Sequence, residues 1–553
     1  MPAVIAAALT LLAQVSTLPA DKVSPKKEES VPTCQVTGRV VTAADGSPLK
    51  SARLALSPQA ATRNSQFYGA FSDSDGHFVL KDIAPGRYQF LAVRAGYVDQ
   101  HYKSQGSDSG AVLDLKPGQK ISDVVFRMTM AAVIIGRITN EDSEGMPGVR
   151  VVAMRKPTED DEEDDEPYTS SKRELVPVTS AHTDDRGQYR LFGLKPGEYY
   201  VQAVDSLDPT YLGVADIALV LQQELGTDYA PVYYPGVSQS GQAQVITTKA
   251  GEEAEADFSM SRVKTAEVSG RVLGREGPAR NTWVTLELAE SNEYSVDRQA
   301  TTDDSGNFTF KGVPPGSYVL LAYQRQDDLM VGQGHQKVEV AGENVEGLTV
   351  SLGGGARVEG RVVISGSGST SADQITINLH PVKEDAGRGS YARVKKDLSF
   401  ELDSVADGNY SVRVWGIEHG WYIKSVRCGA QDVLEKGLQV ENGAADGKLE
   451  IVVSSTSAQL EGSVMDHDAP VIGARVHIVP DPKTPYNRFR SDSANTDQTG
   501  HFVITGLAAG KYRVVGRTGA SQGGEVLKSE PQNVTLSEGE HKTIQLTVQP
   551  PAE

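Results

Sequence analysis

Gly519-Ala520-Ser521-Gln522-Gly523 has the G-x-S-x-G spacing of a nucleophile elbow. That motif works when a strand delivers the serine and a helix follows, which leaves the hydroxyl exposed at a sharp turn. The GEVLKSEPQ that follows has no helical period, so Ser521 is expected in an ordinary loop. Hydrolytic zinc sites need His-x-x-Glu or His-Glu-x-x-His ligand pairs. None of the ten histidines has a glutamate three residues later, and no HExxH occurs. Asp73 and Asp75, Asp184 and Asp185, and Asp303 and Asp304 could offer oxygens to calcium, but the further ligands of an EF-type loop are missing. They read as turn-forming residues. No catalytic residue, metal or cofactor is assigned.

Aromatic residues carry the remaining chemistry. Sugars stack their apolar C–H faces on exposed rings while polar neighbours bond the hydroxyls. The candidates are Tyr102, Tyr233, Tyr234, Trp415, Trp421 and Tyr422, with Trp283 as a further isolated ring. Tyr97 to Tyr102 (YVDQHY) aligns with Tyr229 to Tyr234 (YAPVYY), and Trp415 to Tyr422 (WGIEHGWY) is dense in rings. The alternative is that these rings fill cores or the joints between modules.

What must position them is a repeat. A strand containing glycine opens each of five units: VTGRVV at Val36, IIGRIT at Ile134, VSGRVL at Val268, VEGRVV at Val358 and LEGSVM at Leu460. A second block follows: SDSDGHFVLKDIAPGRY from Ser72, TDDRGQYRLFGLKPGEY from Thr183, TDDSGNFTFKGVPPGSY from Thr302 and TDQTGHFVITGLAAGKY from Thr496. The fourth unit has the degenerate KKDLSFELDSVADGNY from Lys395, with Leu398 where the others have the first glycine. The two glycines of the block are ten residues apart in the other four units. The opening glycine precedes the second of them by 48 residues in units one, four and five, by 46 in unit three and by 61 in unit two.

Asp-x-x-Gly is a turn in which Asp accepts local N–H bonds and Gly takes positive φ. The alternation after it is a strand with one buried face. The tyrosine two residues after the second glycine (Tyr88, Tyr199, Tyr318, Tyr410, Tyr512) falls at an inward position. Six or seven such strands in roughly 90 to 130 residues predict a β-sandwich of Ig-like size. The expected fold is all-β: five tandem sandwiches over 35–130, 131–262, 263–353, 354–455 and 456–550. One helix is expected in the second, over Gly213 to Leu225, where Ile217, Val220, Leu221 and Leu225 share a face. The acidic run Glu159 to Glu166 is expected as a surface loop.

This order of motifs (G-R-V, A-x-V-x-[LV], T-D-x-x-G-x-[FY]-x-[FL], L-x-P-G-x-Y) resembles the carboxypeptidase regulatory-like domain. The resemblance covers nearly the whole chain after residue 34, most weakly in the fourth unit. It implies a transthyretin-like sandwich within the carbohydrate-binding-like superfamily of bacterial proteins. The B-type repeats of collagen adhesins are similar in shape. Their Lys–Asn crosslink is not implied here, because the opening strands carry Arg39, Arg137, Arg271 and Arg361.

Composition sets outer bounds. Of 553 residues, 39% are hydrophobic and 6% aromatic, with 55 Gly and 27 Pro, as many short strands and turns require. A net charge of −19 excludes a nucleic-acid partner of the ordinary basic kind. Val4 to Val15 is an apolar run of signal-peptide length, so residues 1–20 are expected to direct export, followed by a charged linker over 21–34. No later run is long enough to span a membrane. Cys34 and Cys428 fall in units one and four, which an extended array would keep apart, so two unpaired thiols are expected. The functional expectation is a non-catalytic, secreted, periplasmic or cell-surface binding array at the envelope. Its partners would be polysaccharide or envelope proteins, or it would be a structural spacer or interaction scaffold with no small-molecule site.

Overall fold

The computed structural model describes residues 31–550 except 60–64, 105–109, 159–173, 206–226, 275–276, 289–297, 327–328, 353–354, 367–371, 383–388, 419 and 520–525. The expected leader, acidic run, helix over Gly213 to Leu225 and Ser521 lie outside the described residues. The described chain is mostly strand, with little helix, and closes round five separate hydrophobic cores, one per repeat. Its α-helix is a single turn in the fourth module, Val433–Lys436, capped by the Asp432 carboxylate on the Leu434 N–H. Nothing in the sequence reading anticipated it.

The first module gives the plan. In one sheet the opening strand Cys34–Thr42 lies between His77–Ile83, antiparallel, and the closing strand Lys120–Met128, parallel. In the other, Arg53–Pro58 lies between Tyr68–Phe71 and Gly86–Val93. Phe78, Leu80 and Ile83 alternate inward to meet Leu54, Leu56 and Phe90 from the facing sheet.

The opening glycine is required by close approach. A Cβ on Gly38 would fall on the carbonyl oxygen of Val124 in the closing strand. Gly136, Gly270, Gly360 and Gly462 meet Ala256, Leu348, Leu449 and Ile544 in the same way. Across the antiparallel pair these five glycines face Phe78, Tyr189, Phe308, Phe400 and Phe502. In modules two, three and four the aromatic ring reaches over the glycine itself. An aromatic ring covers the space a missing side chain leaves.

The Asp-x-x-Gly turn is built by a hydroxyl and a carboxylate. Asp73 Oδ1 accepts the N–H groups of Asp75 and His77 at 2.9 and 2.8 Å, and Gly76 has φ +76°. Ser72, buried, donates to the carbonyl of Leu49 and accepts from the N–H of Ala52, pinning the turn to the strand beside it. Thr183, Thr302 and Thr496 repeat both bonds in modules two, three and five. The fourth module has a buried Val394 at this place, and Leu398 occupies the glycine position at φ +66°. A branched side chain is disfavoured in that region, and the degenerate motif keeps the turn at that cost.

The modules are not strung out. The fifth folds back on the first: Gln498, inside the fifth module's turn, exchanges hydrogen bonds with the backbone N–H and C=O of Asp114 at 3.0 and 2.7 Å. Asn495 donates to the carbonyl of Gly110 at 2.7 Å, and Ile472 packs on the first module's core. Between modules two and three, Arg298 donates to the buried Asp228 carboxylate at 2.6 Å. Burial pushes that carboxyl up against the opposing pull of Arg298.

Candidate binding faces

Each candidate ring has a definite place. Tyr102 is 5% exposed, within ring-contact range of Phe90 and Phe126 in the first core. The alignment that singled it out is nevertheless sound. His101 and Tyr233 pair with equivalent residues, Leu91 and Gln202, and the N–H groups of Tyr102 and Tyr234 both bond to the strand alongside. Tyr234 is half-buried edge-on to Phe258, and Tyr233 is half-buried against the small cluster of Val152, Met154 and Leu175. Both places are edges of five-stranded sheets, and of the three tyrosines Tyr102 is fully in the core.

Tyr422 is 5% exposed at the joint between modules four and five, where its hydroxyl donates to Glu538 at 3.2 Å. Lys424 and Thr456 bond the same carboxylate, at 2.7 and 2.6 Å. Those bonds hold the Glu538 carboxyl down at about 2. Trp421, half-buried, packs on the fourth core. Tyr102 and Tyr422 therefore offer no open ring, because strand alternation in one case and the neighbouring module in the other covers them.

Trp415 is different. It ends the strand Gly408–Trp415 on the face away from the core and is 50% exposed. Thr376 lies opposite it on the central strand Thr376–Pro381, and Arg393 lies opposite Thr376 on the far side. One step along, Tyr391, 54% exposed, faces Asn378. Trp415 and Tyr391 flank the central strand two residues out of step, a separation of roughly 12 Å by strand spacing and rise. The face combines two open rings with the amide of Asn378, the hydroxyl of Thr376 and the guanidinium of Arg393. The sequence reading missed Tyr391, Asn378, Thr376 and Arg393. A period-2 reading of Ser390–Arg393 against Thr376–Pro381 carried that signal.

The third module has a related face. Trp283 lies opposite Tyr323, with centroids 6.5 Å apart and planes 11° from parallel. Tyr323 follows Tyr318 by five residues, as Trp415 follows Tyr410. In the other modules this place holds Val93, Val204 and Arg517.

Residues 35–129 match the family model of the carboxypeptidase regulatory-like domain. The first module is thus similar to the carboxypeptidase regulatory-like domain over its whole length. Residues 264–352 match the second β-sandwich domain of the BOS complex subunit NOMO1-like family. Both matches fall on whole modules bounded by an opening and a closing strand, and neither family is a catalytic one.

No curated protein matches the chain. Among solved structures, a streptococcal ancillary pilin is 10% identical, with 57% of this chain and 98% of that one covered and a TM-score of 0.22. The minor pilin GBS52 of Streptococcus agalactiae is 14% identical, over 42% of this chain and 98% of that one, at a TM-score of 0.22. A putative carbohydrate binding protein from Pseudomonas aeruginosa is 19% identical, over 16% and 88%, at a TM-score of 0.12. Similarity this low leaves function to be argued from the modules' own residues. Among the described residues no helix is long and apolar enough to cross a membrane.

Both cysteines are buried and unpaired. The Asp73, Asp75 and His77 side chains lie within reach of a common ion, but all are exposed, and Asp73 is engaged as the turn's acceptor.

Proposed function

We propose that this chain is a non-catalytic extracytoplasmic binding array that holds polysaccharide on the open sheet faces of modules three and four. The observation that carries the reading is the pair Trp415 and Tyr391, each about half exposed, flanking the polar Thr376 and Asn378. Exposed large rings on a sheet are costly in water, and rings set among hydrogen-bonding groups suit a sugar's alternating apolar faces and hydroxyls. A second weak site at Trp283 and Tyr323 on the same chain adds avidity.

The alternative is an interaction scaffold without a sugar site. The fold-back of module five onto module one favours it, since a compact block presents surfaces rather than reach. Affinity electrophoresis of the whole protein through a panel of soluble polysaccharides decides between them. The sugar-binding reading expects at least one gel to retard the protein and W415A/Y391A to migrate freely, with an unchanged melting temperature. Equal migration of both proteins in every gel leaves the scaffold.

A further inference from the structure

The strand Tyr68–Phe71 is the open edge of the second sheet of module one, beside Arg53–Pro58. Tyr68 and Ala70 turn inward onto the core, while Phe67, Gly69 and Phe71 turn outward. Phe67 is 63% and Phe71 70% exposed. Ser72 gives its N–H to the carbonyl of Ala52 on the neighbouring strand. Alternate residues of an antiparallel ladder bond to the same neighbour. Ala70 and Tyr68 therefore bond within the sheet, and Phe71, Gly69 and Phe67 direct their N–H and C=O groups off its edge. No residue from Ser65 to Phe71 carries a charge.

The other modules blunt this edge. Where module one has Phe71, directly before the turn, modules two to five have His182, Thr301, Arg393 and Asn495. Sheets commonly protect exposed edges with polar and charged side chains, and module one instead sets two large apolar rings about a glycine. Elsewhere in the molecule the same edge is a contact surface. In module five it meets module one, where Asn495 donates to the carbonyl of Gly110.

We propose that this edge pairs with the same edge of a second copy of the chain, antiparallel, about a two-fold axis at Gly69. Gly69 lies midway between Phe67 and Phe71. A pairing centred on it sets Phe67 of each copy opposite the partner's Phe71, on one face of the joined sheet. All three residues direct their backbone groups off the edge, so each facing pair exchanges both of its hydrogen bonds. The contact is isologous and closes at two copies, which leaves no open edge at this strand. Between copies that each carry a net charge of −19, an uncharged strip is also where approach costs least. A phenylalanine buries about 150 to 250 Å² at most. Four partly covered rings therefore fall short of the roughly 1,200 Å² at which stable interfaces begin, and the dimer is weak and reversible. It uses no residue of the sheet faces of modules three and four.

The test is sedimentation velocity of the whole protein at rising concentration. The average mass is expected to climb from monomer towards dimer, more steeply in added salt, which screens the repulsion between acidic copies. The variant F67S/F71S changes two exposed residues and should weaken association at least about tenfold with an unaltered melting temperature. W415A/Y391A should associate as wild type does. Gly69→Cys adds a second readout, since facing residues of a hydrogen-bonded pair lie about 5.5 Å apart at Cα, within disulfide range. Cys34 and Cys428 are buried and do not compete. Under mild oxidation G69C should form a covalent dimer well ahead of K81C, whose exposed position lies on the other sheet. A monomer at every concentration overturns the proposal. So does association that F67S/F71S leaves unchanged, or G69C crosslinking no faster than K81C.

Discussion

The Tyr410 hydroxyl donates a 2.8 Å hydrogen bond to the carbonyl oxygen of Ala406, four residues earlier. The same bond joins Tyr88 to Ala84, Tyr199 to Lys195, Tyr318 to Pro314 and Tyr512 to Ala508, at 2.7 to 2.9 Å. The ring is buried between the sheets while its tip closes the Pro-Gly turn that delivers it. One residue thus couples the core to the turn in every module, in the manner of a tyrosine corner.

Removing that hydroxyl leaves the Ala406 carbonyl without its donor while keeping the ring. Tyr410→Phe is expected to destabilise the fourth module by about 1 to 2 kcal/mol. Chemical denaturation should show a lower midpoint with an unchanged slope. A midpoint equal to wild type would mean that water replaces the bond without loss.

The same tyrosines make stability sensitive to alkali. Burial is the main reason that Tyr88, Tyr318 and Tyr410 are pushed up to about 12, from an ordinary value of 10. The unfolded chain then loses these protons at lower pH than the folded one. Their contribution is complete below about pH 10 and is lost as pH rises through about 12. Circular dichroism at fixed denaturant should show a plateau to pH 10 and loss above it. Tyrosine ionisation followed by ultraviolet absorbance should lag behind free tyrosine. Coincidence of the two curves would contradict the burial.

Glu538 ties module five to module four through Lys424, Thr456 and Tyr422. Its carboxyl is held down at about 2 from an ordinary 4.5, first by Lys424 and then by Thr456. A depressed carboxyl supports the joint above its ordinary pKa and stops doing so as pH falls towards the folded value. Glu538→Gln should loosen the joint at neutral pH and speed protease cleavage near Ser455. In wild type the same sensitivity should emerge only as pH drops from 4.5 towards about 2. Equal cleavage rates at pH 7 would show that the joint rests on other contacts.

Much of the fold was legible because its signals are local. Asp73 and Gly76 form their turn within five residues, and Phe78 and Leu80 alternate in the strand that follows. The inward place of Tyr410 follows from the same alternation. The roles of Ser72 and Thr183 were not legible, since their bonds reach strands 20 or more residues away. The candidate faces were legible only at Trp415 and Trp283. Trp415 and Tyr422 stand seven residues apart in one aromatic-rich stretch, yet one faces solvent and the other is covered by module five.

The amino-acid sequence alone determined that this is a predominantly β array of five repeats, with an inward tyrosine closing each Pro-Gly-type turn. Turn chemistry and period-2 burial act over a few residues and are written into them directly. Tertiary structure decided which rings stay open. It also decided that module five returns to module one. Those outcomes depend on strand register and on contacts between residues as far apart as Asp114 and Gln498. No local pattern encodes a neighbour that distant in the chain.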